Sequence, residues 1–413
     1  MDNDWTKVLG FPGYRVYRHE IDEQNKHMTL WIRRKRGNQS MRCPVCGRRV
    51  REIHEVIERT VRDLSCFEYT TTVVVELYRL RCPDCGVKTE QLPQLPSKAP
   101  YTKRFEDSVG RACESAAASQ VARRLGLSES TVRGMDLRYL ERCEAGRRKP
   151  ALRQIGVDEI YQGKKDKFLT VVCNLETAEP LWFGRERKKE TLDEFFQTEL
   201  THGQRHRIEA ACVDMWEPFR KSIEEWAPQC KIIYDRFHIM QHANDAVDEV
   251  RRAEFFRKGK PGREVIKGKR WLLLSRWANL SGDKRGQLNE LFHLNRRVLK
   301  AYLLKESLDR LWSYWNPGAM FNYLDQWIDQ LKWQRLKPFE KLAATLLKHV
   351  DGIANYCRTK VRFGVVEAVN ANIRMLINRG RGYQNLRYLL LKAKRMAVTN
   401  VEFLAVQRVV KVA

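Results

Sequence analysis

No stretch of eighteen consecutive apolar residues occurs in the 413-residue chain, which excludes an ordinary membrane-spanning helix. The opening MDNDWTKVLG lacks a basic start followed by an apolar run, so no secretory signal is expected. A dense disulfide framework is missing as well. The eleven cysteines are an odd number spread over a long chain, and reduced thiols in a cytoplasmic setting, some of them on metal, are the expectation. Low-complexity tracts, internal repeats and a heptad seam of useful length are also absent. Acidic residues are in short supply, with 51 Asp and Glu against 77 Lys and Arg and a net charge of +26. That imbalance points to a polyanionic partner, because each phosphate neutralised by Lys or Arg releases counterions. What is present in ordinary measure is apolar residues, at 43%. This excludes global disorder and allows two or three domains.

Local patterns divide the chain. YRVYRHEI and MTLWIRRKR, separated by polar DEQNKH, predict a hairpin within residues 1–37. TTTVVVELYRLR (Thr70 to Arg81) is rich in β-branched residues and predicts a strand. LPQLPSKAP, with three prolines, reads as a linker, and GRRKP (Gly146 to Pro150) as a second boundary after a helical stretch. The following β-β-β-α-β-α-β order, ending in KIIYD, predicts an α/β sheet that starts as an antiparallel meander. From His238 to about His349 the pattern is helical. Leu288, Leu291, Leu294 and Val298 form a stripe, and Trp271, Trp277, Trp312, Trp315, Trp327 and Trp333 suggest a core, with Trp312 or Trp315 stacking on an unpaired base as the other reading.

Two C-P-x-C-G motifs, Cys43 to Gly47 and Cys82 to Gly86, place pairs of sulfurs in tight turns. The trailing glycine lets backbone amides face sulfur, and four thiolates make a closed tetrahedral site for structural zinc. Two unrelated turns with free thiols are the alternative. Cys66, Cys113, Cys143, Cys173, Cys212, Cys230 and Cys357 read as small buried hydrophobes. Between Ser115 and Arg142, Ala122 and Gly126 stand where two helices touch and turn. Leu125, Leu127 and Val132 supply packing, and Ser128 is a good N-cap. A helix-turn-helix reading puts Ser130, Thr131 and Arg133 where side chains reach DNA, and Arg147, Arg148 and Lys149 behind it as phosphate contacts. A plain helical hairpin is the competing reading.

Asp158 interrupts the apolar strand IGVDEI, with Glu159 on the opposite strand face. Asp214 ends AACVD and Asp235 ends KIIYD. Acids at the ends or centres of apolar strands suggest a site for Mg²⁺ or Mn²⁺. Glu367, Asn370 and Arg374 share one helix face, which could bring Glu367 to that site and keep Arg374 near phosphates. His238, three residues after Asp235, could orient a metal ligand, contact DNA or simply pack.

The ordered set of C-P-x-C-G pairs, helix-turn-helix, GVDE, Asp214, YDRFH and RFGVVEAVNANIR resembles the insertion-sequence transposases of the DDE type, specifically the ISL-three family. The resemblance implies a multidomain protein. A β-rich zinc ribbon (1–100) and a helix-turn-helix (101–150) precede a ribonuclease-H-like α/β catalytic domain (151–250 and 351–413), interrupted by an all-helical insertion (251–350). It implies Asp158, Asp214 and Glu367 as the catalytic, magnesium-binding triad, with Asp235 and His238 accessory. The implied partners are transposon-end and target DNA and a second copy of the chain in a homodimer or larger homo-oligomer, with no membrane. A non-catalytic DNA-binding regulator and a nuclease or resolvase on the same fold are the alternatives.

Overall fold

A computed structural model describes residues 4–36, 41–95, 98–147, 151–163, 168–257 and 259–410, with the backbone alone for 260–262 and 399–410. The chain divides into two compact units, residues 1–147 and 148–413.

In the first unit a short helix α1 (Asp4–Leu9) leads into strands β1 (Tyr14–Asp22), β2 (His27–Arg34), β3 (Ile53–Cys66), β4 (Tyr69–Cys82) and β5 (Gly86–Thr89). The sheet order is β1-β2-β4-β3, with β5 also on β4. β1 and β2 form the expected antiparallel hairpin, and β2 then runs parallel to β4. Alternation fixes the buried face: Met28, Leu30 and Ile32 on β2 meet Val73, Val75 and Leu77 on β4. Leu92 and Leu95 are buried in this same core. The proline-rich stretch expected to be a linker is therefore packed down, because its two leucines have an apolar face to cover.

Three helices follow: α2 (Lys103–Ser115), α3 (Ala118–Leu125) and α4 (Glu129–Ala145). Their core is Phe105, Val109, Cys113, Val121, Ala122, Val132 and Met135. Gly110 lets α2 and α4 close up, since a Cβ there would lie 2.2 Å from the Tyr139 ring. Asp63 on β3, fully buried, accepts from Thr102 and Arg104 and ties these helices to the sheet.

The second unit opens with β6 (Gln154–Tyr161), β7 (Phe168–Asn174) and β8 (Glu179–Arg185) as an antiparallel meander. Then come α5 (Lys189–Glu199), α6 (His202–Arg205), β9 (Ala210–Val213), α7 (Glu217–Trp226) and β10 (Lys231–Tyr234). Strand order is β10-β9-β6-β7-β8, with β9 parallel to β6 and β10 parallel to β9. The carboxyl ends of β6, β8, β9 and β10 thus share one edge. Helices α8 (Arg236–Arg257), α9 (Lys260–Ile266), α10 (Arg270–Leu274), α11 (Gly282–Leu294), α12 (Arg296–Leu308), α13 (Pro317–Asp329), α14 (Lys337–Lys348) and α15 (Val350–Thr359) come next. Their core is continuous with the sheet face that carries Ile155 and Val157 and is covered by α5 and α7. The chain ends in α16 (Val365–Gly380) and α17 (Leu386–Val410), which cover the other face through Val366, Val369, Ile373 and Leu389. At Gly156 an added Cβ would come within 2.4 Å of Val366, so α16 sits directly on β6.

Three expectations change here. Leu294 is 52% exposed, because α11 ends there and Asn295 caps a new helix, which breaks the stripe. Trp312 and Trp327 are core, but Trp271, Trp315 and Trp333 are exposed; burial of Trp312 removes it as a base-stacking surface. Cys66, Cys143 and Cys230 are only partly buried, unlike Cys113, Cys173, Cys212 and Cys357.

Candidate active site, zinc knuckle and DNA-reading helix

Cys43, Cys46, Cys82 and Cys85 offer sulfurs that all lie within 4.8 Å of one another, with Cys46 Sγ 3.6 Å from Cys82 Sγ. Tetrahedral zinc with bonds of ~2.3 Å requires sulfurs about 3.8 Å apart, so the set fits the ion. Gly47 and Gly86 take φ of +74° and +70°, which closes each knuckle. The amides of Cys46 and Val45 face the Cys43 sulfur and hold its thiol below the ordinary range. Hydrogen bonding from Cys46 and burial push Cys85 up. Every position is filled by protein sulfur, as in a structural site.

In the helical hairpin Gly126 closes α3 at φ +62°. Ser128 caps α4 by accepting from Thr131 N, and its hydroxyl also bonds Thr131 Oγ1 at 2.8 Å. Ser130 and Arg133 are exposed, Arg133 lying 2.5 Å from Glu129 one turn back. Arg147 pairs with Glu144 at 3.7 Å. Arg148 and Lys149 lie outside the described residues.

The acids gather at the carboxyl edge of the second sheet. β6 pairs β9 in a register of Gln154 with Ala210 through Gly156 with Cys212. The same offset carried two residues further sets Asp158 opposite Asp214, just where the pairing ends and the strands part. Asp158 Oδ2 accepts from Asn370 Nδ2 of α16 at 2.7 Å, and Oδ1 lies 3.6 Å from His238 Nε2 on α8. Asp214 accepts from its neighbour's amide, Met215 N, and from Arg187 Nη2, each at 2.6 Å. Arg187, which follows β8, lies over the Trp216 ring and brings its Nε 2.5 Å from Glu159. Asp235, buried after β10, accepts from Phe237 N. Glu367 is exposed in the first turn of α16, which begins after Gly364 at φ +86°. Arg374 is exposed two turns further along.

The charges act on one another. Burial pushes the Asp235 carboxyl up, and the charges of Asp158 and Glu367 push it further. Burial lifts Glu159 to about 7 against the pull of Arg187. Burial pulls His238 down, but the Asp158 hydrogen bond and the charges of Asp214, Asp158 and Asp235 outweigh it and raise it to about 9. Glu159 and Asp214 meet the Arg187 guanidinium and Asp158 the His238 imidazole, an acidic spot in a strongly basic chain. Among the described residues the cysteines are the single set of three or more such groups whose ligand atoms all fall within 4.8 Å. The carboxylates share an edge but are turned to Arg187, Asn370 and His238.

Sequence reasoning missed Arg187 and the tie between Glu159 and Asp214. Arg187 stands in the charge run GRERKK, where nothing marks one arginine from the next. Nothing in the sequence marks Asn370, on the same helix as Glu367, as the donor to Asp158. Glu159, on the strand face opposite Asp158, meets Asp214 through Arg187.

Three family models match: a transposase model over residues 155–393, the helix-turn-helix domain of transposase family ISL3 over 90–140, and the zinc-finger of transposase IS204/IS1001/IS1096/IS1165 over 39–85. The transposase for insertion sequence element IS1001 of Bordetella parapertussis is 32% identical over 93% of this chain and 95% of its own length. The transposase for insertion sequence element IS1557 of Mycobacterium tuberculosis is 25% identical over 85% of this chain and 84% of its own. The solved Drosophila P element transposase strand transfer complex aligns with 74% of this chain and 93% of its own at 9% identity and a TM-score of 0.36, a likeness too slight to establish a shared fold. The chain belongs to the ISL3 family of insertion-sequence transposases.

Proposed function

We propose that Asp158, Asp214 and Glu367 form the catalytic site of a DDE transposase that cuts DNA at the terminal repeats of its element and joins the freed 3′-OH to target DNA. The observation that supports this reading is the register of β6 and β9, whose offset, carried two residues past Gly156 and Cys212, makes Asp158 level with Asp214, while α16, which donates to Asp158 through Asn370, carries Glu367 in its first turn. The five-stranded order, a meander followed by two parallel strands, supports a ribonuclease-H-like domain of residues 151–250 and 351–413, interrupted by the helices of 251–350. The zinc ribbon (1–100) and helix-turn-helix (101–150) read the ends.

The donor set fits Mg²⁺ or Mn²⁺. It is all oxygen, and each oxygen of Asp158 and Asp214 has one protein partner, which leaves a lone pair. When bound, such ions activate the attacking water or hydroxyl and stabilise the departing 3′ oxygen. The chain's own groups do the rest. Asn370 and His238 orient Asp158, and Arg187, clamped by Glu159 and Trp216, orients Asp214. Exposed Arg374 stands on the Glu367 helix to meet phosphate. Ser130 and Arg133, at the start of α4, reach base edges or backbone. Two ends must be held at once, which requires at least a homodimer. The protein acts in the bacterial cytoplasm, on the nucleoid.

Incubating the protein with a supercoiled plasmid carrying the element's ends tests the reading. Nicking and strand transfer that need Mg²⁺ or Mn²⁺ are expected. Cutting without joining marks a nuclease, and binding without cutting marks a regulator.

A further inference from the structure

The stretch from Arg251 to Trp271 carries nine Lys and Arg and two Glu, and at its heart three arginines converge on one carboxylate. Asp248 on α8 is 8% exposed. Its Oδ1 lies 2.7 Å from Arg251 Nε, and its Oδ2 lies 3.3 Å from Arg252 Nε and 3.6 Å from Arg270 Nε. A single carboxylate neutralises one guanidinium, so about two positive charges remain uncompensated. Crowding like charges is unfavourable unless an anion shares them. In each case it is Nε that faces Asp248. Among the described residues the amino groups of Arg252 and Arg270 meet no protein acceptor, and these side chains are 60% and 49% exposed. The buried acid thus holds two guanidinium forks in place with their outer edges to solvent, which lowers the ordering cost of binding a phosphate. Beside them Trp271 is 72% exposed, with the Arg270 guanidinium 5.0 Å from its ring centre. Forked cations next to a bare aromatic face suit a nucleic-acid backbone with its sugars and bases.

We propose that Arg252 and Arg270, set by Asp248 and flanked by Trp271, form a DNA-backbone site in the helical segment, separate from the helix-turn-helix. The proposal rests on the chain being a DNA-handling transposase and extends where it grips its substrate.

The test is fluorescence anisotropy of the zinc-loaded full-length protein on a duplex of about 30 base pairs, without added Mg²⁺ or Mn²⁺, over a range of salt concentrations. No chemistry occurs under these conditions, so failure here leaves the acids untouched. Two lost phosphate contacts flatten the log–log salt slope by about 1.8. The R252Q/R270Q protein is therefore expected to show that change and an affinity roughly tenfold lower at low salt, with R252K/R270K keeping most of the slope. Unchanged affinity and slope in an R252Q/R270Q protein of normal melting temperature overturn the proposal. Should the double variant fold poorly, R252Q alone, at an exposed position, is read instead: a slope change of about 0.9 supports the site and no change overturns it. An arm with inorganic phosphate at matched ionic strength separates the sources. Phosphate binding by the wild type that is lost in R252Q/R270Q, with duplex affinity and salt slope the same in both, marks a free-phosphate site and overturns the DNA reading.

Discussion

Two side chains that are not themselves catalytic decide how the acids stand. Asn370 donates to Asp158, and Arg187 holds Asp214 while resting on Trp216. Loss of groups that orient metal ligands typically costs about 10- to 100-fold. Single-turnover cleavage by Asn370→Ala and Arg187→Gln is therefore expected to fall by that factor, while the melting temperature of the zinc-loaded variants stays near the wild type's; wild-type rates in both would remove the orienting role. The same neighbourhood sets a pH dependence. Glu159 is raised to about 7 and His238 to about 9, so at these two groups the folded metal-free protein holds more protons than the unfolded chain. Stability must then fall as pH rises. The Glu159 part is lost from its ordinary carboxyl range up to about 7, and the His238 part from about 6.5 up to about 9. Melting temperatures of the zinc-loaded protein without added Mg²⁺ or Mn²⁺ should decline across that span, with Glu159→Gln flattening the lower portion and His238→Gln the upper. A melting temperature that rises from pH 6 to pH 9 contradicts the assignment.

At the scale of elements, the contact of α16 with β6 matters most for the site. Gly156→Ala would set a methyl group against Val366, and overpacking of this kind costs about 1–3 kcal/mol. A lower melting midpoint with weakened cleavage is expected, and neutral behaviour would show that α16 is free to shift. At the DNA-reading helix, Ser128→Ala removes a cap worth about 1 kcal/mol and should weaken end binding. Much of this was legible in the residues. β2 and β4 announce themselves by alternating burial, and Ser128 and Gly126 mark the turn between two helices by their chemistry. β3 was harder to read because HEVIERTVRD carries charges along a largely exposed ribbon, so its apolar alternation is faint. The proline-rich segment misled because Leu92 and Leu95 find an apolar face that no local pattern reveals. In the helical segment tryptophan density is a poor guide to burial, since Trp271 and Trp333 project outward. Asp158 and Asp214 stand out in the sequence because acids within or at the ends of apolar strands are costly, and the family resemblance points to Glu367. Arg187 could not be singled out, since its role comes from where β8 ends relative to β9.

Across the whole molecule, a closed cysteine site in the first unit and an open acidic edge in the second respond differently to metal removal. A strong zinc chelator, or Cys43→Ser with Cys82→Ser, is expected to unfold the ribbon and abolish end recognition, as structural zinc contributes folding energy. The second unit should keep its native melting transition under the same treatment. No helix of the described residues is long and apolar enough to cross a membrane, and the +26 charge makes overall DNA affinity steeply salt-dependent. Against that basic background the proposed site of Asp158, Asp214, Asp235 and Glu367 gathers negative charge that a divalent cation would offset. Calorimetric titration of Mn²⁺ into the zinc-loaded, DNA-free protein tests this most directly. Binding at the acids predicts saturable uptake that Asp158→Asn, Asp214→Asn and Glu367→Gln each weaken at least tenfold, whereas unchanged Mn²⁺ affinity in all three contradicts it.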